Sequence, residues 1–386
     1  MRRLTIKANY AFRILKKRLA GDKRFGDGSI LGSMCSSPHP LAKKIFNETL
    51  ELNIGDPGLV PGLIEVEQEA VGIMGSYCGL PGAPGRIVTG GTEANILALW
   101  TALQRSGHKK RDVVLPVSRH FSFDKAAHLL DLNLIFVGLD SQGQMNLDEA
   151  KKLVTPQTLA LVGIAGSTGL GAVDPLEGLS ELAWKNDVYF HVDASFGGFV
   201  LPFLEEAGYS SRKFDFSLPG VSSIAIDPHK MGRGPIPSGC ILYRNQELYD
   251  LTALPVTYLS GGRTLINTVV GTRSGAAVAA VWAILKHLGR PGYVKVVKKA
   301  MELTYWLQGE LKKMDGFTLE REPVMNIIGL KPLTMTPVEL EKRLRSRGWA
   351  LSLWDTYLRV VLMPHVKKSH LKKFLRDLEE ITREGL

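Results

Sequence analysis

Two apolar runs, residues 188–192 (VYFHV) and 222–226 (SSIAI), constrain the fold of this chain more than any other feature. Neither alternates polar with apolar side chains. Each therefore suits a strand covered on both faces, as in a parallel sheet flanked by helices. The first run ends at Asp193, and the second leads into Asp227-Pro228-His229-Lys230. The C-terminal ends of such strands open into the crevice where α/β sheets bind ligands. An acid and a lysine 37 residues apart are thus brought to one place.

That pair suits pyridoxal phosphate, which needs a lysine for a Schiff base and a carboxylate to keep the pyridine nitrogen protonated. A buried salt bridge beside a surface lysine is the plainer reading. The segment 86–95 (RIVTGGTEAN) weighs against it. It runs from a short strand through Gly90 and Gly91 into a helix expected over 94–104, with Thr92 as N-cap. Free N–H groups, a helix dipole and a hydroxyl make an anion site suited to a cofactor phosphate. No lysine follows the glycines, so the segment is not a P-loop.

Net charge is +10, with basic clusters at 16–18, 109–111 and 367–373 that read as solvated faces. No basic–aromatic interleaving points to nucleic acid, so the positive field is expected to favour an anionic substrate or phosphate cofactor. No apolar run approaches 18 residues, so no membrane span is expected. The basic N-terminus lacks an apolar signal core, and a helix packed on the partner or the domain surface is expected there. Cys35, Cys78 and Cys240 lack metal-ligand spacing. Reduced thiols in a cytoplasm, and no metal, are the expectation.

Strands at 112–116, 134–137 and 159–164 alternate with helical patterns, predicting a mostly parallel sheet with helices on both faces. The expected organisation is a helical arm over 1–55, a large cofactor-binding domain over 56–273, and a linking helix with a small α+β domain over 274–386. The linker is predicted as a helix over 274–288, with the next helix at 301–314.

With these motifs in order, the chain resembles the group II pyridoxal-dependent amino-acid decarboxylases of the aspartate-aminotransferase fold (fold type I). The resemblance is carried by LGSMCSSPHP, NIGDPGL, TGGTEANILAL, HFSFDKAA, GIAGSTGLGAVDP, HVDASFGGF, IDPHKMG and LRVVLMPHVK. It is closest to the archaeal aspartate/tyrosine decarboxylases, with a secondary likeness to sphingosine-phosphate lyase. It implies that Lys230 forms the Schiff base, Asp193 partners the ring nitrogen, and His120 stacks on one ring face with Ala194 against the other. Thr168 falls near the ring. Gly90, Gly91 and Thr92 cradle the phosphate, with Ser223 as a further donor and His229 at phosphate or substrate. Gly271 and Thr272 reach the phosphate of a second subunit, implying a homodimer with shared sites. Arg359 grips the substrate α-carboxylate, as its planar fork suits. Ser195 departs from the alanine usual in that place.

The implied reaction is α-decarboxylation of an L-amino acid. L-aspartate, giving β-alanine for coenzyme A, and L-tyrosine, giving tyramine for methanofuran, are the expected substrates. L-glutamate, or a carbon–carbon lyase reaction, is the alternative. Only thirteen residues separate Leu259 from Arg273, so the loop that carries a catalytic tyrosine in aromatic decarboxylases is shortened. Tyr258, His120 and His229 remain as candidate proton donors.

Overall fold

The computed structural model describes residues 6–384. Seven strands form the large sheet: β1 (Gly85–Val88), β2 (Asp112–Pro116), β3 (Asn133–Val137), β4 (Thr158–Ile164), β5 (Tyr189–Asp193), β6 (Val221–Ile226) and β7 (Gly239–Tyr243). Their order is β1-β7-β6-β5-β4-β2-β3. The run from β3 to β6 is parallel, and β7 enters antiparallel between β6 and β1. Every residue of β4 and β5 is buried, which is why their sequences are almost unbrokenly apolar.

Strand periodicity divides those residues between two cores. Phe190, Val192 and Ala194 point into one core, together with Leu161, Ile224 and Ile226. Tyr189, Ala160, Val162 and Ala225 point into the other, beneath the helix Gly91–Arg105. The parity of a residue in β5 or β6 therefore decides whether it can see that helix.

A short hairpin, β8 (Leu254–Val256) with β9 (Thr264–Ile266), follows. The helix Gly275–Leu311 then connects to a four-stranded antiparallel sheet of β10 (Phe317–Leu319), β11 (Ile327–Pro332), β12 (Ser352–Leu353) and β13 (Leu358–Val361). The predicted gap between helices at 288 and 301 shrinks to one non-helical residue, Gly289 (φ 54°, ψ −175°), with Pro291 just beyond it. Pro291 lacks a donor only where the first turn of the second arm needs none, so the helix restarts at once.

Leu303, Leu307 and Leu311 from the second arm complete a third core over the small sheet. Leu371, Phe374, Leu378 and Ile381 of the terminal helix Lys368–Glu384 join it at helical spacing. Truncating a fully buried member such as Leu378 to alanine should cost about 2–5 kcal/mol. The N-terminal segment is not all helix. After the helices Ile6–Arg18 and a short 3-10 turn, Ile30 pairs with Ala350, and Leu31 lies in the small-sheet core.

Candidate active site

The ends of β4, β5 and β6 and the start of the Gly91 helix enclose a cavity of about 280 Å³. Gly90, Gly91, Thr92, His120, Thr168, Asp193, His229 and Lys230 all line it. Gly90 caps the helix at φ 147°, a left-handed-side conformation that glycine alone adopts freely. The helix thus begins three residues earlier than its sequence pattern suggests. Thr92 lies within the first turn and does not cap it. A side chain at Gly91 would place its Cβ 2.4 Å from Ser195 Oγ, so the backbone N–H groups stay open to the cavity.

Asp193 is held by two donors. Asn95 Nδ2 donates to its Oδ2 at 3.0 Å, and the Ser195 N–H donates to its Oδ1 at 3.0 Å. Asn95 is fixed in turn by His191, whose Nε2 lies 2.9 Å from Asn95 Oδ1; Ser223 Oγ is 2.8 Å from His191 Nδ1 and receives a bond from the Tyr189 hydroxyl at 2.7 Å. An amide oxygen only accepts, so Nε2 carries the imidazole proton and Ser223 donates to Nδ1. Burial pushes His191 below its ordinary value, which keeps the ring neutral as this chain of bonds requires. Burial works to raise the Asp193 carboxyl, but the Lys230 charge and the Ser195 bonds overcome it and hold Asp193 low. The aspartate is ionised and aimed.

Two expected ligands are corrected by strand parity. Ser223 faces the Gly91 helix in register with His191, is fully buried and bonded there, and lies off the cavity. It supports Asp193 at a distance and has no access to a phosphate. Ala194 points into the opposite core, and Ser195, two residues on from Asp193, lines the cavity in its place.

Lys230 Nζ sits 2.9 Å from Asp227 Oδ2. Asp227 is buried, lines the cavity, and also lies 3.7 Å from His229 Nε2. Burial works to lower the lysine, but Asp227 and Asp193 outweigh it and leave it above its ordinary value. His120 is pushed down, first by burial, and its ring packs 4.2 Å from that of Phe121.

Arg359 is buried but does not line the cavity. Its Nη1 donates to the Thr168 carbonyl at 2.6 Å, and its Nη2 donates to Gly32 O at 2.5 Å and Ser352 Oγ at 2.9 Å. These partners are neutral, and its Nε is buried without one among the described residues. Gly271 and Thr272 are exposed and lie outside this chain's own cavity. Tyr258 is 86% exposed and likewise outside it. Cys240 is buried within β7, no place for a reactive thiol.

Asn95, Ser195 and Asp227 are the residues that motif reading passes over. Asn95 stands in the GTEAN motif, and Asp227 precedes the lysine by one helical turn. Neither spacing reveals its role without the fold.

The cavity accepts pyridoxal phosphate on its own chemistry. It offers an open helix start, an ionised carboxylate on the same wall as the lysine, and a buried Ser195 hydroxyl with no partner among the described residues. On this fold such a site defines a fold type I pyridoxal phosphate enzyme. The chain belongs to the pyridoxal-dependent decarboxylases, whose conserved-domain model matches residues 33–331. An L-aspartate decarboxylase of Thermococcus kodakarensis is 47% identical over 371 residues, covering 96% of each chain. A protein of Methanothermobacter thermautotrophicus named "Probable L-tyrosine/L-aspartate decarboxylase" is 46% identical, covering 92% of this chain and 98% of its own. Among solved structures, the sphingosine-1-phosphate lyase of Burkholderia pseudomallei superimposes with TM-score 0.88 at 26% identity, covering 99% of this chain and 92% of its own. The protein is a carboxy-lyase. Among the described residues, no helix is long and apolar enough to cross a membrane.

Proposed function

We propose that this enzyme removes the α-carboxylate of L-aspartate to give β-alanine, with L-tyrosine as a second substrate. The observation that carries the reading is near-full-length identity of 47% to an aspartate decarboxylase. The roles of β-alanine in coenzyme A synthesis and of tyramine in methanofuran synthesis follow from that reading, as does a cytoplasmic setting.

Bound pyridoxal phosphate supplies a sink for the electron pair left when CO2 departs. The protein's part is orientation and charge. Lys230 holds the cofactor aldehyde, and Asp193 keeps a proton on the ring nitrogen. His120 covers one ring face and Ser195 lies against the other. The N–H groups of Gly91 and Thr92 hold the phosphate, with His229 beside them. Arg359 fixes the Thr168 carbonyl and offers Nε towards the substrate carboxylate. His120 and His229 both line the cavity, which makes them the better placed proton donors to Cα; Tyr258 would serve only across a subunit boundary.

A homodimer with Gly271 and Thr272 lent to the neighbouring cavity completes the proposal, together with the division of the chain at residues 55/56 and 273/274. CO2 release measured with aspartate, tyrosine and glutamate in the presence of pyridoxal phosphate tests it. Turnover of aspartate above glutamate supports the reading, and glutamate as the best substrate overturns it.

A further inference from the structure

The chain spends two buried carboxylates on one lysine. Asp193 has its ring-facing duty and two hydrogen-bond donors of its own. Asp227 has no such duty, yet it is 2% exposed and its Oδ2 takes Lys230 at 2.9 Å. Its Oδ1 is buried with no partner among the described residues. Two glycines wall it in: a Cβ at Gly91 would lie 3.1 Å from Oδ2, and one at Gly239 would lie 2.9 Å from Oδ1. The backbone therefore leaves room for this carboxylate and for little else. A side chain so confined, with one oxygen on the lysine, fixes where an unattached Lys230 rests.

We propose that Asp227 is a positioning residue for Lys230: it parks the unattached lysine as an ammonium at the cavity wall, so that cofactor capture waits for the pair to lose a proton. This rests on the reading of Lys230 as the residue that holds the cofactor. An amine attacks an aldehyde only in its neutral form, so an ion-pairing partner sets the pH at which capture becomes fast. The other groups that face Lys230 do not cancel this. Asp193, at the end of β5, adds a second negative charge, and Cys35, from the N-terminal segment, is kept protonated chiefly by burial. His120 is pushed towards its neutral form, also chiefly by burial, and His229 lies on the far side of Asp227.

The test is the rate of covalent capture in cofactor-stripped enzyme. Pyridoxal phosphate is added across a pH series, the linkage is trapped with borohydride, and the modified Lys230 peptide is counted by mass. Asp227→Asn should shift the capture profile to lower pH by about one unit, which is about tenfold faster capture on the rising limb. Asp227→Glu, which keeps the charge, should hold the wild-type midpoint whatever its absolute rate. Superimposable profiles for wild type and Asp227→Asn overturn the inference. Should the asparagine variant fail to fold, pH-dependent acetylation of Lys230 in stripped wild type decides instead. Half-reactivity above the ordinary lysine value of 10.5 supports the ion pair, and half-reactivity at or below it overturns it. Failure to trap any cofactor on wild-type Lys230 at any pH would strike the underlying reading of the lysine and not the role of Asp227 alone.

Discussion

The floor of the cavity and the stretch from β8 to residue 273 are built to opposite standards. On the floor, Asp193, Asn95, His191, Ser223 and Tyr189 form one unbroken series of hydrogen bonds, all of it buried. In the stretch, Tyr258, Leu265 and Val269 expose 86%, 52% and 49% of their surface. The stretch is nonetheless anchored at its base. Glu93, on the cavity helix, accepts from Val269 N, and Arg273 pairs with buried Glu67 at 2.6 Å. A segment tied down at one end and bare at the other is shaped for something beyond its own chain, while the floor needs nothing further. One half of the chemistry is intrinsic to the chain and the other half is on offer to a neighbour.

The hardest blow to the intrinsic half is Lys230→Ala, which should abolish covalent cofactor and turnover together; retained borohydride-stable labelling elsewhere with activity would break the assignment. Asp193→Asn comes next. A neutral amide cannot hold the ring proton, so kcat should fall by at least tenfold, at about 1–4 kcal/mol of barrier, while the folded state persists. A kcat within threefold of wild type would make the hydrogen-bonded floor a structural feature only.

The borrowed half is tested by mixing. Lys230→Ala and Thr272→Asp, each inactive alone, should together regain up to about a quarter of wild-type activity, since half the dimers are mixed and each holds one intact site. No recovery, or full activity in a monomeric fraction, would return Gly271 and Thr272 to an ordinary turn.

Arg359→Lys probes the seam between the two sheets. Lysine offers a point charge where arginine offers a fork, so KM should rise and kcat fall several-fold, with more abortive transamination per turnover. Unchanged constants would leave Arg359 as the tie between Thr168 and Gly32 alone.

The mildest effect is expected at Asp174, whose oxygens accept from Met145 N and Ile164 N at 2.8 Å and so hold the strand end before Thr168. Burial pushes its carboxyl up to about 7. The folded state then binds this proton more tightly than the unfolded chain, so the residue withdraws stability as pH climbs from about 4 to about 7. Asp174→Asn should flatten the change in denaturation midpoint between pH 5 and pH 8. An unaltered slope would show that the two backbone donors hold the carboxylate ionised throughout.

The parallel sheet, Asp193, Lys230 and the Gly90–Gly91 start were legible because each is local: a run of apolar residues ending in a reactive one, or a glycine pair before a helix. Ser223 and Ala194 misled because counting along the chain ignores strand parity, which put Ser223 under the Gly91 helix and turned Ala194 to the opposite core. The Asn95–His191–Ser223–Tyr189 series could not be read at all. Its members lie up to 98 residues from Asp193 or its neighbours in sequence, and only the pairing of β5 with β6 beneath the helix brings them together.

The bend at Gly289 makes the long helix a crank. Its first arm is buried against the large-sheet core and its second in the small-sheet core, so one pair of backbone angles sets the bearing of everything downstream. The second arm, residues 290–311, is about 33 Å long at 1.5 Å per residue, and a swing of roughly 5° at the crank would carry its far end about 3 Å. The 2.6 Å bond from Arg359 to the Thr168 carbonyl has far less slack than that. The alignment of the small domain with the cofactor wall is therefore gauged at a glycine remote from the cavity, and a residue that never meets substrate governs how closely the two halves of the machine mesh.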